Sequence, residues 1–216
     1  MSENTINPIA QQRTNMNPWL NIWFKPRITI RHIVDQTPEK HVQLLAVISG
    51  IFRFVDQASE RSLGDTVSLL GILGLAIVIG PIAGYISLYL SGALFQWTGS
   101  WLGGNATVRD VRTVYAWSSV VDIVGLIIFT PIILVFGRDW FQSSANWTNS
   151  SAGLFIAVLL IPLGLTLLIW RAIMFLSGLA EVHNFSIWKS LGATVLGFAV
   201  VMIPILCILI PTFLTR

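Results

Sequence analysis

From residue 42 onward, long uncharged apolar stretches alternate with short polar ones. That pattern suits helices crossing a bilayer better than amphipathic helices around a water-facing core. The run Leu69–Phe95 carries no charge, and at a rise of 1.5 Å per residue it covers about 30 Å of hydrocarbon with some tilt. Its Gly71, Gly74, Gly80, Pro81, Gly84 and Gly92 form helices poorly in water. Membrane helices use such small residues for close backbone packing, and Gly80-Pro81 predicts a kink. Trp117–Phe136, Gly153–Leu176 and Leu191–Leu214 predict three further spans. The first holds Asp122 and Pro131, the second Pro162 and Arg171, the third Pro204 and Pro211.

Val42–Val55 is apolar but covers only about 14 residues, short for a span. Arg53 interrupts it, and Asp56, Glu60 and Arg61 follow. Two readings stay open, a half-buried interfacial helix or a fifth membrane helix whose charged end is shielded by neighbours; the second is preferred. Ahead of it, Pro18–Lys40 places Trp19, Leu20, Ile22, Trp23 and Phe24 before Lys25-Pro26-Arg27. A helix over Pro26–Gln36 would set Ile30, Ile33 and Val34 on one face and Arg27 and Arg31 on another. This segment reads either as an amphipathic helix on anionic headgroups, with Trp19, Trp23, Lys25, Arg27 and Arg31 toward lipid, or as a helix packed on the protein's own loops. The expected organisation is a cytosolic N-terminal segment over residues 1–40 and a transmembrane helical domain over 41–216. The fold class is all-α, a polytopic membrane helix bundle of about five transmembrane helices with a short amphipathic N-terminal helix.

Composition agrees. The chain is 54% hydrophobic and 11% charged, where soluble domains carry about 25% charged residues, so it lacks the charge to cover a water-facing surface. The formal excess of +3 forms no basic stripe, which excludes a nucleic-acid partner. Trp97, Trp101, Trp117, Trp140, Trp147, Trp170 and Trp188 lie near the ends of apolar runs, where indole rings favour the headgroup level. Residues 1–17 are polar and do not read as a secretory signal. Cys207 is alone, so no internal disulfide forms. With five spans, one side holds Arg13, Lys25, Arg27, Arg31, Lys40, Arg109, Arg112, Arg171 and Lys189, and the other Arg53, Arg61, Arg138 and Arg216. That bias puts the N-terminus in the cytoplasm and the C-terminus opposite, in a membrane read as a bacterial cytoplasmic one. A four-span alternative puts both termini on one side.

Ionisable side chains at membrane depth cost several kcal/mol unless paired or hydrated, which makes each a functional candidate. On a helix, Arg53, Asp56, Gln57 and Glu60 share one face, and Arg53 can pair with Asp56. Asp122 could pair with Arg112 or Arg171, hydrogen-bond to a neighbouring helix, or ligate a cation. Arg53, Asp56, Glu60 and Asp122 are therefore the candidate intramembrane polar cluster, either a hydrated cavity or an internal ion-pair network. Glu181 and His183 are a weak metal signal, because two ligands do not define a site. No GxSxG, HExxH or P-loop occurs, so neither an enzyme nor a cofactor is expected. Gly99–Gly104 reads as a turn at the membrane surface. Asn146-Trp147-Thr148 and Asn149-Ser150-Ser151 match the glycosylation sequon but read as polar loop.

Several elements occur in a set order: Asn17-Pro18-Trp19, Lys25-Pro26-Arg27, Leu63-Gly64-Asp65, Trp97-Thr98-Gly99-Ser100-Trp101-Leu102-Gly103-Gly104, Arg112 before Ala116-Trp117-Ser118-Ser119, and Ala180-Glu181-Val182-His183 before Phe185-Ser186 and Trp188-Lys189. In that order they resemble the Yip (Ypt-interacting protein) domain family, in its short bacterial form, from about residue 17 onward. The resemblance implies a five-helix membrane domain with a cytosolic N-terminus. Eukaryotic relatives are associated with vesicle traffic, small GTPases and membrane shaping. The polar stretch before Trp19 does not match their long cytosolic region, so GTPase binding is not carried over. The expected function is non-enzymatic membrane organisation, through the bilayer, anionic headgroups, a second copy or other membrane proteins. The alternative is a small ion or solute transporter using buried acids and proline-broken helices.

Overall fold

The computed structural model describes residues 17–144 and 151–214. Among them the chain forms α1 (Pro18–Phe24), α2 (Pro26–Gln36), α3 (Val42–Glu60), α4 (Leu69–Trp101), α5 (Val108–Ser118), α6 (Val121–Phe136), α7 (Ser151–Val182) and α8 (Ile187–Leu214). Short 3₁₀ turns follow α3 at Leu63–Asp65 and α6 at Gly137–Phe141. No strand occurs among the described residues. Trp147 and both sequons' asparagines lie outside them.

Four stretches are long and apolar enough to cross a membrane: Leu69–Trp101, Val108–Phe141, Gly153–Val182 and Ile187–Cys207. They leave large apolar side chains such as Ile77, Leu134, Ile161 and Leu168 uncovered, a surface that hydrocarbon rather than water must wet. The helices extend beyond the apolar runs at their polar ends, to Trp101 in α4 and Val182 in α7. Backbone hydrogen bonding does not stop where the side chains turn polar. The helices also continue through Pro81, Pro131 and Pro162 rather than breaking there.

α3, which is not among those four stretches, departs most from expectation. α3 runs for 19 residues, not about 14, because Arg53, Asp56 and Glu60 are accommodated within it. It packs on α4 with almost no side chain between the backbones. A Cβ on Gly50 would strike the Gly80 carbonyl, and one on Gly84 would strike the Ala46 carbonyl. Ala46 and Gly50 face Gly80 and Gly84, each pair one helical turn apart, so the helices interlock through small residues.

Two apolar clusters fill the bundle. One joins Ile22, Ile30 and Ile33 of α1 and α2 to Val111, Val114 and Trp117 of α5 and to Met174 and Leu179 of α7. The other, at the far end of α3, joins Val55 and Ala58 to Ile72, Ala76 and Phe141. There the Leu63–Asp65 turn and the Gly137–Phe141 turn are tied by Arg138 Nε donating to the Gly64 carbonyl at 2.7 Å. Ser143 adds hydrogen bonds to the Asp65 carboxylate through its N–H and hydroxyl, at 3.1 and 2.6 Å.

Candidate functional site

The expected span Trp117–Phe136 lies within the apolar stretch Val108–Phe141, which breaks near its expected start. α5 stops at Ser118 and α6 begins at Val121. Ser118 and Ser119 fold their hydroxyls back onto the Tyr115 and Ala116 carbonyls at 2.8 and 2.6 Å, adding side-chain donors at a helix end, where backbone donors run short. The break sets Asp122 in the first turn of α6, where the positive end of the helix dipole favours a carboxylate.

Asp122 is buried, and both its oxygens are taken. Arg171 Nη1 donates to them at 2.5 and 2.7 Å, and Ser49 Oγ donates to Oδ2 at 2.5 Å. Arg53 lies with Nε 3.8 Å from Oδ2 and its guanidinium 5.6 Å from the Tyr115 ring centroid. Of the two arginines the sequence offered, Arg171 is the partner; Arg112 instead stacks on Tyr89 at 4.7 Å. The rest of the predicted cluster does not converge. Arg53 turns to Asp122 rather than Asp56, and Asp56 and Glu60 stay on the exposed face of α3. Cavities of about 340 and 560 Å³ flank Arg53, and neither is lined by Asp56, Glu60 or Asp122.

A second constellation gathers where α4 and α7 end. Both helices close with the same hydrogen-bond pattern. Gly104 N–H reaches the Gly99 carbonyl and Gly103 N–H the Ser100 carbonyl, both at 3.0 Å, around Gly103 at φ +84°. Phe185 N–H reaches the Ala180 carbonyl at 3.1 Å around Asn184 at φ +57°. These are Schellman ends, with glycine in one and asparagine in the other at the left-handed position. His183 sits between them, buried and stacked on Phe185 with centroids 5.0 Å apart. A Cβ on Gly99 or Gly104 would land on its imidazole ring, so the glycine-rich turn is shaped to hold it. Nδ1 faces the Ala106 N–H at 3.5 Å, and Nε2 makes no hydrogen bond of good geometry. Burial pushes the His183 pKa below the ordinary histidine value, opposed by the Phe95 backbone and the Asp110 charge.

Glu181 is equally occupied. Arg27 Nε and Arg31 Nε donate to its two carboxylate oxygens at 2.5 and 2.9 Å. Arg31 Nη2 adds the Glu181 carbonyl and Asn184 Oδ1, each at 2.8 Å. The two weak metal candidates thus serve different partners, and no group of three such ligands occurs among the described residues. Of the readings left open for the N-terminal segment, these contacts fit a helix packed on the protein's own loops. Trp19 and Trp23 correct the sequence expectation: they turn inward onto the core, Trp19 against Trp117 at 5.1 Å. Trp117 is likewise buried within the protein. α1 and α2 instead expose Leu20, Phe24 and Ile28 beside Lys25.

A model of the Yip1 domain matches residues 20–209. The chain belongs to the Yip1 domain family. No curated protein and no solved structure matches it. In this Yip1 domain, three of the motifs that carried the resemblance meet in space, Gly99–Gly104 and Ala180–Phe185 as the paired helix ends and Arg27, which clamps Glu181 together with Arg31. Ser49, Tyr115 and the histidine cradle escaped sequence reasoning, since nothing local marks them. The start of α5 was missed as well, although a local signal marks it: Thr107 and Asp110 form a capping box, with Asp110 N–H to Thr107 Oγ1 at 3.2 Å and Thr107 N–H to the Asp110 carboxylate at 3.0 Å.

Proposed function

We propose that this Yip1 domain is a non-enzymatic organiser of the bilayer, acting by holding lipid or membrane partners rather than by moving ions. One observation carries the reading: Asp122, the buried intramembrane acid, is closed by Arg171 and Ser49 with Arg53 close by. A cation pathway needs an acid free to bind and release its ion, and a doubly hydrogen-bonded carboxylate beside two guanidinium groups is poorly suited to that. Residues 1–40 form the cytosolic segment and 41–216 the transmembrane domain. α1 and α2 lie on the cytoplasmic face of a bacterial cytoplasmic membrane, with Leu20, Phe24 and Ile28 toward lipid and the C-terminus opposite.

The test is purified protein in liposomes with a pH-sensitive dye inside. Proton leak should equal that of protein-free liposomes, while vesicle shape seen by electron cryomicroscopy should change with protein density. Flux that disappears in Asp122→Asn overturns the reading in favour of transport. Thr37→Cys in a Cys207→Ser background should react with an impermeant maleimide only from the cytoplasmic side.

A further inference from the structure

The cavity of about 560 Å³ between α4, α5, α7 and α8 lies within the size range of small-molecule sites. Its walls are hydrocarbon, with Leu94 and Phe95 from α4 and Phe175 and Leu176 from α7. Its rim carries Leu168 and Phe198, 63% and 60% exposed. Side chains of that kind stand in lipid on a membrane domain, so the mouth opens sideways into hydrocarbon. The rest of the lining is opposite in character. Arg53 and Arg171 reach the same cavity, with Ser87 and Ser91 beside them.

Charge there is unbalanced. Asp122 sets one negative charge against two guanidinium groups, and its oxygens already accept from Arg171 Nη1 and Ser49 Oγ. Arg171 Nη2 is buried with no hydrogen-bond partner. Arg53 Nε stands 3.8 Å from Asp122, beyond hydrogen-bond range. Unspent guanidinium N–H groups in an apolar surrounding are costly, and an anionic acceptor relieves that cost more strongly than a neutral one.

We infer that this cavity binds an anionic lipid, its acyl chain along the apolar walls and its acid group drawn to the Arg53 and Arg171 guanidinium groups that line it. Arg171 lies 11 residues before the end of α7, about 16 Å along the helix axis, within reach of an acid group drawn inward from the headgroup layer. A phospholipid phosphate and a fatty-acid carboxylate share the required chemistry. The site deepens the proposed function and rests on its reading of Asp122 as permanently paired.

Full-length protein in a neutral maltoside detergent is incubated with dioleoyl phosphatidic acid, oleate or dioleoyl phosphatidylcholine, and retained lipid is counted by native mass spectrometry. At least one acidic lipid should be retained tenfold better than phosphatidylcholine of the same chains, and the better of the two acids identifies the source. Arg53→Gln, which leaves the Asp122–Arg171 pair intact, should lower that retention tenfold, and Ser91→Phe, which narrows the cavity, should do the same. Equal retention of acidic and neutral lipid, or wild-type retention in both variants at unchanged Tm, overturns the proposal. Either result leaves the non-transport reading standing, because that reading is decided by proton flux.

Discussion

Arg171 Nη1 bridges both carboxylate oxygens of Asp122, at 2.5 and 2.7 Å, and so joins α7 to the break between α5 and α6. Neither charge is tolerable there without the other. Burial of a carboxylate or a guanidinium is offset only by a close partner and by hydrogen bonds to the remaining lone pairs, which Ser49 supplies. The pair therefore acts as a fixed joint of the bundle.

A double-mutant cycle measures that joint. Asp122→Ala should cost about 3–5 kcal/mol by stranding Arg171, while Asp122→Ala with Arg171→Leu should recover part of the loss. Unfolding in detergent reads both, and strictly additive losses would mean the two residues are not coupled.

The α3–α4 crossing gives a sharper steric contrast. Gly84→Leu should prevent extraction of a monodisperse protein, because its Cβ strikes the Ala46 carbonyl. Gly74→Ala, whose Cβ would meet nothing within 4 Å, should be neutral or slightly stabilising on helix propensity. Equal behaviour of the two would place the crossing elsewhere.

His183 predicts a pH dependence. Its folded pKa lies below the unfolded value, so the unfolded state binds the extra proton. The stability it contributes is complete above about pH 6.5 and declines as pH falls, by up to about 1.4 kcal/mol per unit. Relative to His183→Leu, the wild type should lose Tm between pH 7.5 and 5.5; parallel curves would show the imidazole to be solvated. Gly104→Ala should lower Tm at every pH, because its Cβ displaces the ring.

Glu181→Gln should release α2. Losing the charge-assisted bonds from Arg27 and Arg31 should raise amide exchange across Pro26–Gln36 roughly tenfold, the equivalent of about 1.4 kcal/mol. Exchange unchanged from wild type would assign the docking of α2 to Ile30 and Ile33 alone.

Much of the fold was legible along the chain. Runs such as Leu69–Phe95 declare a bilayer because no soluble surface can be built from them, and Pro26 with the Ile30–Ile33 spacing declares α2. Helix lengths were not so legible, because α3 carries its charges within a continuous helix and α4 runs on past its apolar stretch to Trp101. Among the candidate site residues, Asp122 was conspicuous from its apolar surroundings, while its separation from Asp56 and Glu60 was not.

What the sequence determined alone was the solvent. Its low charge and long apolar runs fix the membrane assignment, the helical class and the basic, aromatic segment before the bundle, since each follows from local composition and period. Only the tertiary structure decided who meets whom. Arg171 rather than Arg112 neutralises Asp122, Arg27 and Arg31 close on Glu181, and Gly99 and Gly104 make room for His183. Those choices join residues tens to more than a hundred positions apart, and depend on which helix faces which, a relation that no local pattern encodes.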